Sequence, residues 1–336
     1  MTSVVVKVFC ASLTLTLVPY MWISFVIYRY PNKYRPPASA NVKTVGLPIA
    51  IDEPLMKSLG VPPTQFAELT RNNVDKFVFV TAITSDHYLE CKDAIASIQK
   101  YHPGYTVILY DLGLHDFEIK QVNQFCDVVY RKFNYYKYPP HVRYLRNYAF
   151  KPAIIQEVLS TELGLFWFDA SVRLLTNLRN AYSQLVNNSG FLQFWHSPHT
   201  NHAVTNPQLY KYIPTDIDRQ TRVETRAAGA VFWYRTRKVY FGVFYWWLVC
   251  ALEPNCIAPP GSTLQCDFKK YGKRRYAGCH RYDMSVLGVL VSNMFGYDVD
   301  RYTAKDGNVL VLVRRASRVY TLQYCADVDK PNKVLK

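Results

Sequence analysis

Acidic side chains are scarce in this chain of 336 residues: 25 Asp and Glu stand against 40 Lys and Arg, a formal net charge of +15. Such a balance suits acidic partners, among them nucleotide diphosphates, anionic lipid and nucleic acid. Other absences narrow that choice. There is no Walker phosphate loop and no zinc-finger spacing, and the basic residues are scattered, which argues against nucleic acid as a partner. None of the eight cysteines forms a CxxC pair, which weighs against a structural zinc site. No internal repeat is present, and a composition 49% hydrophobic and 15% aromatic, with 27 Tyr, excludes a disordered chain. The length allows one large domain or two small ones.

What is present begins with an apolar opening. Residues 8–28 contain no charged side chain, and at about 1.5 Å per residue a helix there crosses the roughly 30 Å hydrocarbon core of a bilayer. A transmembrane signal anchor is expected over 8–28, after a short tail at 1–7, with Tyr20, Trp22, Tyr28 and Tyr30 as interfacial aromatics. A cleaved signal peptide is the alternative, but its apolar region should span only about 7–15 residues, and Ala38-Ser39-Ala40 lies well beyond the apolar end. Residues 29–74 contain proline and no sustained periodicity, which predicts a stem.

Orientation is contested within the sequence. Lys7 alone precedes the span, whereas Arg29, Lys33, Arg35 and Lys43 follow it, a bias that places the body in the cytosol. Against this stand the acceptor triplet Asn187-Asn188-Ser189 and seven cysteines outside the anchor. Cys250 with Cys256, and Cys266 with Cys279, are close enough to pair in an oxidising lumen, leaving an odd thiol. A single-pass membrane protein with a luminal body is expected.

The body should run over 75–325, with a tail at 326–336. Strands are expected over 77–82, 105–110 and 128–130, with helices over 86–101 and 115–125 between them. That alternation predicts an α/β fold with a mostly parallel sheet flanked by helices. Pro152 suits the first position of a helix carrying Ile155, Val158 and Leu159. A helix over 174–186, a strand over 191–195, a core helix over 239–252 too short to span a membrane, an apolar helix opened by Cys279-His280-Arg281-Tyr282-Asp283, and a strand over 309–313 complete the pattern. His196, His199 and His202 recur at intervals of three; they invite a metal reading, although surface or substrate-contacting histidines are commoner.

The chain is organised around Gly164-Leu165-Phe166-Trp167-Phe168-Asp169-Ala170-Ser171, an apolar run that ends abruptly in a carboxylate. It reads as a buried central strand with Asp169 where the strand leaves the sheet. Ligands of open α/β sheets bind outside the carboxyl ends of the strands, so Asp169 and Ser171 are placed to meet a divalent ion carrying a diphosphate. The plainer alternative is that the two cap the next helix, with Leu174, Leu175 and Leu178 as its apolar face.

The order of parts resembles Golgi glycosyltransferases of the A-type nucleotide-diphospho-sugar fold: an anchor, a stem, an α/β half beginning Phe77-Val78-Phe79-Val80, Asp-Ala-Ser at a strand end, and a turn at Gly229-Ala230 entering a strand. More narrowly, 93–101, 110–114 and His280-Arg281-Tyr282-Asp283 are similar to an uncharacterised animal family known as a domain of unknown function and considered glycosyltransferase-like. The resemblance covers about residues 75–325 and implies a sugar transfer from a nucleotide-diphosphate donor, UDP-sugar favoured, to a glycan or protein acceptor. It implies Mn2+ or Mg2+ held by Asp169, Ser171 and His280, catalytic roles for Asp169 and Asp283, and donor contacts by Arg143, Arg146, Lys151 and Gly229. Ser171 departs from the family's Asp-x-Asp pattern by offering a hydroxyl for a carboxylate, which lowers the charge of the ligand set. A membrane-anchored glycan-binding or scaffold protein of the same fold, without catalysis, is the rival. The sequence specifies no oligomeric state.

Overall fold

The computed structural model describes residue 49, residues 52–313 and residues 320–325. The expected anchor at 8–28, most of the stem before residue 52, and the tail at 326–336 lie outside the described residues. Among the described residues no helix is long and apolar enough to cross a membrane.

One six-stranded sheet carries the fold. In chain order its strands are β1 (Val78–Thr84), β2 (Val107–Gly113), β3 (Val128–Lys132), β4 (Gly164–Phe168), β6 (Phe191–Gln193) and β9 (Ala230–Tyr234), arranged 3-2-1-4-9-6. β1 pairs in parallel with β2 and β4, and β2 with β3, whereas β9 runs antiparallel between β4 and β6. The expectation of a mostly parallel sheet flanked by helices therefore holds, with β9 as the one reversed strand of that sheet. Two pairs stand apart from it: β5 (Val172–Leu174) with β10 (Val311–Val313), and β7 (His196–Thr200) with β8 (Glu224–Arg226), are separate two-stranded ladders.

Every residue of β4 is buried because both faces of the sheet are covered. Leu165 and Trp167 point into one core with Trp233, Trp247 and Leu290, and Phe166 and Phe168 into the other with Phe79, Ile95 and Phe232. Fully burying side chains of this size stabilises by about 1.5–3 kcal/mol each before entropy is counted. On the second face lies α2 (Tyr88–Tyr101); on the first lie α4 (Phe150–Leu159), α6 (Tyr245–Leu252) and α7 (Asp283–Met294), while α3 (Asp116–Val122) and α5 (Tyr182–Asn187) occupy connections. The apolar run before Leu252 is a core helix, as its length required, and continues a π-turn at Tyr240–Phe244.

Two expectations are corrected. The body extends to the N-terminal side of residue 75: α1 (Glu53–Ser58) packs Met56 and Leu59 into the core, and Gln156 Nε2 donates to the Leu59 carbonyl at 2.9 Å. No continuous helix runs over 174–186; Val172, Arg173 and Leu174 pair with Val313, Leu312 and Val311 as β5, and α5 starts only at Tyr182. A strand partner far along the chain overrides the local helical spacing of the leucines there.

Disulfides join Cys250 to Cys256 and Cys266 to Cys279, and a third joins Cys126 to Cys325 across 199 residues, leaving Cys91 as a buried free thiol among the described residues. The third was missed because the two cysteines meet only after residues 323–325 lie against Gln99 and Phe125.

Candidate functional site

Three elements converge at the carboxyl edge of the parallel strands. β4 delivers Asp169 as it leaves the sheet, the first turn of α4 delivers Lys151, and α7 opens with Asp283. Lys151 Nζ lies 3.0 Å from Asp169 Oδ1 and 2.9 Å from Asp283 Oδ2. The ammonium and the Asp283 carboxylate are buried, with side chains 5% and 6% exposed, whereas Asp169 is 39% exposed and is the member open to solvent. Trp167 Nε1 donates to Asp169 Oδ1 at 2.9 Å and fixes that carboxylate from below. A buried lysine persists as an ion only if its charge is paired. Burial lowers the Lys151 pKa, but Asp169 and Asp283 outweigh it and hold it above the ordinary lysine value. Burial raises the Asp283 pKa, and Lys151 opposes that.

Gly229 lies against the same carboxylate. Its carbonyl accepts from the Asp169 amide at 2.8 Å, and a Cβ built on it would come within 2.6 Å of Asp169 Oδ2. Glycine is required there by close approach, and Gly229 shapes the site through Asp169.

Tyr148 covers the Lys151 ammonium and Tyr282 precedes Asp283 in the chain, and both have a backbone that side-chain-bearing residues rarely adopt: Tyr148 at φ 56° and Tyr282 at φ 44°. Such conformations cost on the order of 1–3 kcal/mol and persist where surrounding contacts over-determine them. The two rings lie 6.5 Å apart, the Lys151 ammonium sits 5.1 Å from the Tyr148 ring centre, and Tyr282 Oη donates to the Ser262 carbonyl at 3.3 Å. Burial, then the charge of Asp283, raises the Tyr148 pKa against the opposing charges of Lys151 and Arg281.

The other residues implied by the resemblance are placed differently. His280 is fully buried: its Nδ1 accepts from the Asn206 amide at 3.2 Å, and its Nε2 donates to the Ile257 carbonyl at 3.1 Å. Burial pushes it down to about 4, so it is a neutral cross-brace with no free nitrogen. Ser171 sits in the turn before β5 and contributes no bond to the triad; nor does Asp169 cap a helix, since a strand follows it. Arg143 lays its guanidinium 4.7 Å over the Tyr136 ring, and neither it nor Arg146, both exposed, pairs with Asp169 or Asp283. His196 pairs with Glu224, His199 stacks on Phe268, and His202 on Tyr210, so the three do not converge.

The divalent ion implied by the resemblance does not fit this donor set. Both carboxylates are engaged by the Lys151 ammonium, both His280 nitrogens are used, and among the described residues no group of three or more His, Cys, Asp or Glu side chains could hold a metal. Tyr148, Tyr282 and Arg281 were not singled out from sequence. Tyr148 lies in the tyrosine- and arginine-rich stretch before α4 and the other two in the His-Arg-Tyr-Asp run, but backbone strain leaves no sequence signal.

The architecture is thus an α/β fold with a buried charge cluster where β4 leaves its sheet. Residues 56–156 match the family described as a protein of unknown function (DUF1647), in agreement with the narrower resemblance drawn from sequence. No curated protein matches the chain. Among solved structures, the chain is similar to core-mannan synthase A (CmsA/Ktr4) from Aspergillus fumigatus in its Mn/GDP form, at 9% identity over 68% of this chain and 76% of that one, TM-score 0.40. It is similar to mouse xyloside xylosyltransferase 1 in its apo form, at 10% identity over 68% and 84%, TM-score 0.37. It is also similar to an active-site mutant of LgtC, at 13% identity and TM-score 0.29, spanning 48% of this chain and 58% of that one.

Proposed function

We propose that the protein is a glycosyltransferase that moves a sugar from a nucleotide-diphosphate donor, with a UDP-sugar favoured, to a glycan or protein acceptor in the secretory pathway. The observation that carries this reading is the meeting of Asp169, Lys151 and Asp283 at the carboxyl end of β4, where open α/β sheets bind their ligands. Breaking the bond between sugar and diphosphate develops negative charge on the leaving diphosphate, and fixed cations at the cleft stabilise it. Asp169, the exposed member, faces the reacting groups; it is close enough to solvent to accept a proton from an acceptor hydroxyl or to balance positive charge on the sugar. Lys151 and Asp283 position it from beneath. The membrane anchor at 8–28 and a luminal body belong to the same proposal, and exposed Asn187 at the end of α5 is accessible to the glycosylation machinery.

The inactive glycan-binding reading has one observation in its favour: all three charged groups already satisfy one another, as a purely structural cluster would. Full-length protein mixed with UDP-sugars and a glycan panel separates the two. Release of UDP that depends on acceptor and is lost in Asp169→Asn supports the transferase; glycan retention with no UDP binding and no release rejects it.

A further inference from the structure

We propose that this cleft meets its diphosphate with protein cations instead of a divalent metal: Lys151 occupies the place between Asp169 and Asp283, and Arg281 presents a free guanidinium to phosphate. The inference rests on the transferase reading for its ligand, but its first half stands on geometry alone. An ion bound by Asp169 and Asp283 would have to displace an ammonium 3.0 and 2.9 Å from their oxygens, and that ammonium is buried with no other carboxylate beside it. Expelling it would strand a buried charge, which is strongly unfavourable. Ser171 cannot add the second carboxylate of a metal motif, and His280 is fully committed to Asn206 and Ile257.

Two carboxylates and one ammonium leave the triad with a single negative charge, so an anionic donor needs a further cation. Arg281 is that group. Its backbone amide is fixed by the Val204 carbonyl at 3.1 Å and by Ser285 Oγ at 2.9 Å, two positions before Asp283 and next to Tyr282, whose ring lies 6.5 Å from that of Tyr148. Its Nε is buried without a hydrogen-bond partner, and its guanidinium makes no ion pair among the described residues. A guanidinium without an ion pair, two residues before Asp283, is suited to bidentate phosphate recognition, whereas Lys151 has both of its carboxylates already in hand.

The test uses full-length protein and two probes, manganese alone and UDP. Spin-resonance titration of the wild type with Mn2+ should find no bound ion, and Lys151→Ala, which frees two adjacent carboxylates, should acquire one. UDP affinity measured by calorimetry should be the same in chelator as in Mn2+, at least 10-fold weaker in Arg281→Gln, and partly restored in Arg281→Lys, where charge returns without the fork. Micromolar Mn2+ binding by the wild type, or loss of UDP binding in chelator, overturns the metal-free site while leaving the transferase reading standing; if Lys151→Ala fails to fold, the wild-type titration still decides. Unchanged UDP affinity in Arg281→Gln overturns the role of Arg281. Failure of UDP to bind under every condition overturns both that role and the transferase reading, and is told apart by the manganese result.

Discussion

Lys151→Met removes the ammonium at the centre of the triad and keeps most of its aliphatic stem. It leaves two carboxylates, one with a side chain 6% exposed, within about 6 Å of each other and without a cation between them, an arrangement in which like charges resist joint ionisation. At an effective dielectric of about 20, each contact at 3.0 or 2.9 Å represents about 5–6 kcal/mol of attraction before desolvation. Desolvation cancels much of it, and the expected net loss is that of breaking a buried pair by deleting one partner, about 3–5 kcal/mol. For a domain of this size that lowers Tm by roughly 10 °C. The pH dependence fixes the cause. Lys151 has a raised pKa, so its contribution is complete below the ordinary lysine value and is lost only as pH rises through the folded value. In the variant, Asp283, whose pKa burial already raises, protonates as pH falls and relieves the repulsion. Urea unfolding of wild type and variant, followed by tryptophan fluorescence, should show the largest deficit near about pH 8 and a much smaller one near about pH 4.5. A variant as stable as wild type at the higher pH, or a deficit that does not shrink on acidification, would refute the charge-balance account.

Gly229→Ala forces a methyl group to within 2.6 Å of the Asp169 carboxylate; the fold should lose about 1–3 kcal/mol, and UDP affinity measured by calorimetry should fall with it. His280→Ala should destabilise by about 1–3 kcal/mol through two unpaired buried backbone groups, without changing Mn2+ binding, read by thermal melting and titration. Because the folded His280 pKa is depressed to about 4, its contribution is present above the ordinary histidine value and lost as pH falls from there through the folded value; His280→Gln should flatten the acid limb of a stability profile over that window. Cys126→Ala opens a covalent loop of 199 residues, a loss of about 5 kcal/mol in the chain-entropy account, measurable by urea unfolding after non-reducing peptide mapping confirms the pair in the wild type.

The alternation of apolar runs made β1 to β4 and the helices between them legible, since buried parallel strands and amphipathic helices each leave a local signature. Asp169 was legible for the same reason: a carboxylate after Gly-Leu-Phe-Trp-Phe must find a partner. Which partner it finds was not. Lys151 reads as one more basic residue in a tyrosine-rich stretch, and nothing local distinguishes it from exposed Arg143 or Arg146; only the docking of α4 against β4 and α7 separates a buried ammonium from two solvated guanidiniums. His280 misled in the opposite sense, because an imidazole beside Asp283 looks like a ligand until Asn206 and Ile257 are brought to it from distant loops. The helix expected after Asp169 failed because β10, near the far end of the chain, claims Val172 to Leu174.

The meeting of Lys151 with Asp283 also sets an order on biosynthesis. A ribosome delivers α4 and β4 well before α7, and until residue 283 has left the exit tunnel the ammonium has only the solvent-facing Asp169 to answer it. The nascent α/β half therefore cannot close over Lys151 without stranding charge, and should hold this edge of the sheet wet until about the last sixth of the chain arrives. Truncated chains that end before α7 would therefore carry Lys151 without its buried counter-charge at this edge of the sheet.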